Sequence, residues 1–109
     1  MNLHVNVEKE GNQSLVKLSG EIDVYTVSIL EEKVLPLVDT EEKVQVDLHK
    51  VTYMDSTGLG VFISAYKKAQ ENNCHFEIVH AHDRVLRLFI VTGLDEIINL
   101  RTESGGEQA

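Results

Sequence analysis

Residues 44–60 read VQVDLHKVTYMDSTGLG, and this stretch decides the fold because it joins a strand to a helix. Val44, Val46 and Leu48 alternate with polar residues, which is the period-two pattern of a strand with one buried face. After the junction the apolar residues recur at helical spacing, at Leu59, Phe62, Ile63, Tyr66 and Ala69. A further strand is predicted at residues 76–79. A strand, a helix and a strand in this order predict parallel strands joined by a right-handed crossover.

The segment before this unit predicts two more strands. Apolar and polar residues alternate in residues 3–7, and a second short strand is predicted at residues 15–19. Gly11 and Asn12 lie between them and supply a turn, so the two strands are expected to form a hairpin. Near the other end of the chain, residues 97–98 are expected to end the last packed segment.

Two further helices complete the pattern. One precedes the third strand and carries Val27, Leu30, Val34, Leu37 and Val38, and the other carries Val85, Leu86, Leu88 and Phe89. Pro36 removes a backbone donor and clashes one turn back, so a kink or a local break is expected near it. Asp83 is expected to cap the last helix and Gly93 to end it. The order β-β-α-β-α-β-α predicts an α/β fold, a mixed sheet covered by helices.

Length and composition indicate one soluble domain. The 109 residues fit a single domain over residues 1–100, and the polar, glycine-rich residues 101–109 are expected to form a flexible tail. The net charge of −8 disfavours direct binding to nucleic acid, and no apolar run approaches the length of a membrane span. The first residues lack the basic start of a secretory signal, and Cys74 has no disulfide partner. A cytoplasmic location is therefore expected.

The junction itself contains three residues that commonly cap helices, namely Asp55, Ser56 and Thr57. They can serve only to start the helix, and Gly58 and Gly60 can serve only packing. The same place also suits a phosphorylatable hydroxyl, because a phosphate there would lie at the positive end of the helix dipole. Glycines also allow a partner's backbone to come close. Both interpretations of the junction remain open on local sequence alone.

The chain resembles the STAS domain family in three segments that occur in the family's order. Residues 53–60, YMDSTGLG, are similar to the signature of anti-sigma factor antagonists. Residues 20–23, GEID, resemble the family's element after the second strand, and residues 87–89 and 92–94, RLF and TGL, resemble its third helix. The resemblance covers about residues 1–100 and is greatest to antagonists of the general-stress anti-sigma factor in Bacillus-type bacteria.

This resemblance implies a single STAS-type domain that works as a phosphorylation switch. It implies that an anti-sigma factor, itself an ATP-dependent serine kinase, phosphorylates Ser56, with Thr57 as a secondary acceptor. The unphosphorylated form would bind that kinase and free the sigma factor for stress-responsive transcription, and a PP2C-type phosphatase would restore it. The implied partner surface comprises Asp23, Asp55, Ser56, Thr57 and Gly58, although Asp23 equally suits a capping role for the first helix.

Other functions are less well supported by the residues. Catalysis is not expected, because the chain has no second aspartic-protease motif, no nucleophile elbow and no Walker loop. The histidines and cysteine at Cys74, His75, His80 and His82 do not form a clear set of zinc ligands, so neither a metal nor a cofactor is expected. The alternative function is a STAS-type scaffold or sensor component in another phosphorylation-controlled complex.

Overall fold

Five strands form one sheet in the order β1-β2-β3-β4-β5, and three helices accompany them. The computed structural model describes residues 2–102. Along the chain the elements are β1 (Leu3–Glu10), β2 (Gln13–Ile22), α1 (Val27–Thr40), β3 (Lys43–Met54), α2 (Ser56–Glu71), β4 (His75–Ala81), α3 (Asp83–Val91), a 3-10 turn (Leu94–Glu96) and β5 (Asn99–Thr102). The predicted fold class and element order are confirmed, with β5 as an addition.

The sheet is mixed, as predicted. β1 and β2 form an antiparallel hairpin, whereas β3 runs parallel to both β2 and β4, and β5 runs parallel to β4. Helix α2 therefore connects two neighbouring parallel strands, which is the crossover that the sequence predicts. The carboxyl ends of β2 and β3 lie side by side, because Ile22 pairs with Met54. The loops that follow these two strands consequently meet at one edge of the sheet.

The two faces of the sheet differ in burial. Val44, Val46 and Leu48 are fully buried under the helices, where the Phe62 ring of α2 lies 6.1 Å from the Phe89 ring of α3. The opposite face, which we call the outer face, carries mostly half-buried and exposed polar side chains. They include His4, Asn6, Lys17, Gln45 and Asp47. The alternation that predicts the strands therefore also separates the core from the outer face.

Two local predictions about the helices are changed by the structure. A kink or a local break is predicted near Pro36, and helix α1 continues through Pro36 to Thr40, so the helix is not broken there. Pro36 is exposed, and the carbonyl group that loses its bond one turn earlier is on the solvent side of the helix. Asp83 does not cap α3; it is the first helical residue, and its carboxylate lies 3.1 Å from Nδ1 of His82, which occupies the cap position without a side-chain cap bond.

The described chain ends in a strand that the sequence did not predict. Asn99–Thr102 form β5, so residues 101 and 102 belong to the sheet and not to the predicted tail. Ile98 is buried before this strand, whereas Ile97 is exposed. The predicted flexible residues 103–109 lie outside the described residues.

Candidate functional site

The candidate site lies where β3 ends and α2 begins. The backbone amide of Asp55 donates to the carbonyl oxygen of Ile22 at 3.2 Å, which holds this junction against the end of β2. Asp55 has an extended backbone and is the N-cap residue of α2. Of the three residues that could cap this helix, Asp55 is therefore the one that does so. Ser56 is the first residue of the helix, and Gly58 and Gly60 follow within its first two turns.

The Asp55 carboxylate binds Thr57 and leaves Ser56 free. Its Oδ1 atom accepts a hydrogen bond from the Thr57 backbone amide at 3.0 Å and a second, short one from the Thr57 hydroxyl group. The Ser56 side chain is exposed, and no other residue within 2–102 accepts or donates a hydrogen bond to its hydroxyl group. Of the two neighbouring hydroxyl groups, the one on Ser56 is therefore available to another molecule, and the one on Thr57 is occupied by the cap.

The two glycines of the first helical turns have different roles. A Cβ atom on Gly58 would lie 2.7 Å from Cγ2 of Ile22 and 2.8 Å from Cγ of Met54, so this glycine lets α2 pack closely on the ends of β2 and β3. Gly58 is buried, and its side-chain position is not accessible to a partner. Gly60 is exposed, with open space where a Cβ atom would be. It lies one turn after Ser56 on the same helix face, so a partner's backbone can approach there.

Asp23 shapes the neighbouring turn between β2 and α1 from inside the protein. The residue is only 5% exposed. Its Oδ1 atom accepts hydrogen bonds from the amides of Tyr25 and Thr26, at 2.9 and 3.0 Å, and from the Thr26 hydroxyl group at 3.3 Å. The helix begins after Thr26, so Asp23 fixes the turn that leads into α1 and does not occupy the N-cap position itself.

Exposed apolar side chains occur on the elements that meet at this edge of the sheet, and this feature was missed by the sequence-based reasoning. Val24 and Tyr25 are 62% and 78% exposed on the turn after β2, and Ile29 and Tyr53 are also exposed on the neighbouring α1 and β3. We call these four residues the apolar rim. A signal was present in the sequence, because Val24 and Tyr25 follow Asp23 outside any alternating strand pattern. Clustered exposed apolar groups commonly mark a surface that binds another protein.

The other ionisable clusters lie away from this edge and have structural contacts. Burial alone would raise the pKa of Glu77, but hydrogen bonds from Gln45 and His75 and the charges of Arg101 and Lys43 lower that pKa overall. Burial, and to a smaller extent the charge of Glu41, raise the pKa of the Cys74 thiol, which favours its protonated form.

No arrangement of three or more metal-ligating side chains occurs within residues 2–102. The cysteine and histidines that the sequence offers as zinc ligands make separate contacts with different partners. Cys74 is buried, while His75 lies 3.3 Å from Glu77 and His80 lies 3.2 Å from Asp47. In the same part of the chain, no helix is long and apolar enough to cross a bilayer.

The family of the chain follows from comparison with known proteins. The family model described as "Mlab, STAS domain" matches residues 5–102, and the chain belongs to this family. It is similar to the Anti-sigma-B factor antagonist of Bacillus subtilis (strain 168), with 39% identity over 106 residues and 97% of both chains covered. The Anti-sigma-B factor antagonist of Staphylococcus aureus (strain NCTC 8325 / PS 47) is 40% identical over 101 residues, which cover 92% of this chain and 94% of that protein. The resemblance stated from the sequence motifs is confirmed.

Solved structures show the same fold. An anti-sigma factor antagonist from Mycobacterium paratuberculosis superimposes with a TM-score of 0.84 at 30% identity, over 92% of this chain and 86% of that one. The unphosphorylated form of the anti-sigma factor antagonist SpoIIAA superimposes with a TM-score of 0.78 at 17% identity, over 93% and 90% of the two chains. At that identity the second likeness concerns the fold alone.

Proposed function

We propose that this protein is an anti-sigma factor antagonist that phosphorylation of Ser56 controls. In this proposal the unphosphorylated form binds an anti-sigma factor that is also a serine kinase, and a sigma factor is released. Phosphorylation of Ser56 abolishes the complex, and a PP2C-type phosphatase restores it. The antagonist class is supported by relatives of that name at 39% and 40% identity over nearly the whole chain. The kinase and phosphatase steps are what the resemblance of residues 53–60 to the family signature implies, and the exposed hydroxyl group of Ser56 is compatible with them.

The observation that carries the proposal is the free, exposed hydroxyl group of Ser56. A kinase needs an acceptor oxygen that enters its active site and aligns with the phosphate of ATP. The Ser56 oxygen has no partner to lose within the described residues, whereas the Thr57 hydroxyl group must first leave Asp55. Phosphorylating Thr57 would also break the cap of α2. Ser56 is therefore the better acceptor, and we do not expect Thr57 to be modified to a comparable extent.

A phosphate on Ser56 is compatible with the folded state. Ser56 begins a helix of 16 residues, and the free amides and the dipole at that end favour negative charge. The side chain points into solvent, so no core group has to move. The fold itself accommodates such a modification, since SpoIIAA of Bacillus, which has the same fold, has a structure in a phosphorylated form. Modification would consequently change the surface and leave the domain intact.

The same phosphate would oppose binding of a partner to the apolar rim. A partner that covers Tyr25, Tyr53 and Ser56 removes water from this surface, and a phosphate adds a charge of about −1.5 to −2 there. Asp55 directly precedes Ser56, so in a complex the phosphate would lose its water and would also be repelled by the Asp55 carboxylate. Docking and phosphorylation would thus compete for one surface, which is what a reversible switch requires.

The decisive experiment maps the phosphorylated residue. The protein is incubated with the cognate anti-sigma factor, ATP and magnesium, and the modified peptide is sequenced by mass spectrometry. We expect one phosphate on Ser56, no phosphate on the Ser56→Ala variant, and normal phosphorylation of Ser64→Ala. Ser64 is an exposed serine on the same helix and serves as the matched control.

A binding assay tests the second half of the proposal. Ser56→Ala should bind the anti-sigma factor and should stay bound in the presence of ATP, since it has no acceptor oxygen. Undiminished phosphorylation of Ser56→Ala would refute the acceptor assignment. An anti-sigma factor that does not bind the unphosphorylated protein would refute the antagonist function.

A further inference from the structure

A second candidate site lies on the outer face of the sheet. A cleft of about 740 Å³ opens there, and it is lined by residues of β1, β2, β3 and β4: His4, Val5, Asn6, Lys17, Leu18, Ser19, Asp47, His49, Lys50 and His80. Its volume lies in the range typical of small-molecule sites. Lys50 precedes the end of β3 at Met54 by four positions, and the cleft does not include the Ser56 junction.

Two irregularities in the sheet converge on this cleft. Between the pairs Lys17–Asp47 and Ser19–Lys50, β3 has one residue more than β2. Between Val79 and Ala81, β4 likewise has an extra residue, His80, whose φ of 62° lies in the left-handed region. Bulges re-aim side chains and often occur beside functional sites. A left-handed backbone at a residue other than glycine is costly and is retained only where the surroundings hold it.

Asp47 holds the two bulges together. Its Oδ1 atom accepts a hydrogen bond from the His49 amide at 2.8 Å in the first bulge and lies 3.2 Å from Nδ1 of His80 in the second. The rings of His49 and His80 are 6.3 Å apart and nearly perpendicular. Among the described residues that line the cleft, Asp47 is the one carboxylate, and its Oδ1 atom is thus held within the wall of the cleft.

The charge of the cleft is opposite to that of the chain. The chain carries a net charge of −8, yet two lysines and three histidines line this one cleft with a single carboxylate. Lys17 forms an ion pair with Glu8 at 3.3 Å, whereas the Lys50 ammonium group forms no ion pair with any residue from 2 to 102. An ammonium group that forms no ion pair within the described residues is suited to a phosphate group.

We propose that this cleft binds a small organic molecule that carries a phosphate group, with Lys50 as the main contact to the phosphate. The volume of the cleft exceeds what one inorganic oxyanion fills, so the organic body of the ligand occupies the rest beside Val5 and Ser19. The site is separate from Ser56, and the proposal does not depend on the antagonist function.

Nuclear magnetic resonance of the isotope-labelled full chain tests this proposal. Ribose 5-phosphate is titrated at neutral pH and constant ionic strength, with inorganic phosphate and ribose in parallel. We expect saturable shifts at the backbone amides of Ser19, Lys50 and His80 with ribose 5-phosphate, weaker ones with inorganic phosphate, and none with ribose. Lys50→Gln should weaken binding by about tenfold, the effect of removing one charge-assisted hydrogen bond.

Lys67→Gln is the matched control, because Lys67 is an exposed lysine on α2. It should bind ribose 5-phosphate as the unaltered protein does. Shifts that do not saturate, shifts that lie outside the cleft, equal binding of ribose, or an equal loss in the two lysine variants would each overturn the proposal.

Discussion

Two strand-to-helix junctions meet at one edge of the sheet, and each contains an aspartate followed by a threonine, yet they expose different groups. After β2, the Asp23 carboxylate is buried and binds the amides of Tyr25 and Thr26, so Val24 and Tyr25 project into solvent. After β3, the Asp55 carboxylate lies at the surface and binds the amide and the hydroxyl group of Thr57. The first junction presents an apolar surface, and the second presents a free hydroxyl group.

The spacing between aspartate and threonine explains this difference. Thr26 follows Asp23 by three residues and also donates its hydroxyl group to the carbonyl oxygen of Glu21 at 2.8 Å, which closes the turn over the carboxylate. Thr57 follows Asp55 by two residues, so the cap encloses only one intervening side chain, Ser56, and directs it outward. An exposed apolar surface and an exposed hydroxyl group therefore arise side by side from similar residues.

The largest expected effect is that of phosphorylation at the second junction. Phosphorylated Ser56 should weaken binding of the anti-sigma factor by at least about 30-fold, because a charge left unpaired in an interface costs about 2–5 kcal/mol. Isothermal titration calorimetry on the phosphorylated and unphosphorylated proteins measures this ratio. Ser56→Asp should lie between the two, since it carries less charge than a phosphate. Equal affinities of the two forms would contradict the competition between docking and phosphorylation.

The next effect separates the two aspartates by stability. Asp23→Ala should lower the free energy of unfolding by about 3 kcal/mol, because the buried amide and hydroxyl group of Thr26 and the part-buried amide of Tyr25 lose their acceptor. Asp55→Ala should cost only about 1 kcal/mol, the usual effect of removing an N-cap. Urea denaturation gives both values.

Asp23→Asn is the control for this pair, because it keeps the Oδ1 acceptor and should retain most of the stability. Equal losses for Asp23→Ala and Asp55→Ala would show that the two junctions are not built differently.

Much of the fold could be predicted because it depends on local patterns in the sequence. Alternation predicts β1 and β3, their order with the turn and the crossover helix places β2 and β4, and helical spacing predicts all three helices. What could not be predicted depends on pairing between distant segments. β5 has only four residues, too few for a clear alternation, and His80 is an extra residue only relative to its partner strand. A kink or a local break is expected at Pro36 from its missing backbone donor and the clash one turn back, and the sequence does not show that this residue lies on the exposed side of α1.

The site could be predicted to the level of a segment but not of an atom. The sequence places Asp55, Ser56 and Thr57 together at a helix start, but only their geometry distinguishes the cap from the free hydroxyl group. Gly58 packs against Ile22, a residue of a different strand, so its role could not be deduced from its neighbours in sequence. The apolar rim requires the turn conformation that Asp23 imposes.

A third effect tests the first junction as a docking surface. Tyr25→Ala should weaken binding of the anti-sigma factor by about 2 kcal/mol, as for an aromatic anchor at an interface, and should change the free energy of unfolding by less than about 0.5 kcal/mol. Val91→Ala is the matched control, because Val91 is 70% exposed on α3 and lies outside the apolar rim. Surface plasmon resonance compares the two variants. If the two variants bind equally well, the apolar rim is not the docking surface.

The smallest effect concerns the two glycines of the second junction and has opposite signs at the two positions. Gly58→Ala should lower the free energy of unfolding by about 1–3 kcal/mol, because its new methyl group would overlap Ile22 and Met54 in a packed core. Gly60→Ala should raise it by up to about 1 kcal/mol, since alanine is the better helix former and the position is open. Thermal denaturation distinguishes the signs.

Gly60→Arg should keep the fold but obstruct the approach to Ser56, so it should reduce phosphorylation by the kinase without loss of stability. A destabilising Gly60→Ala would show that the position is not open, and a Gly60→Arg variant that is phosphorylated at the normal rate would show that the partner does not approach Ser56 over this face.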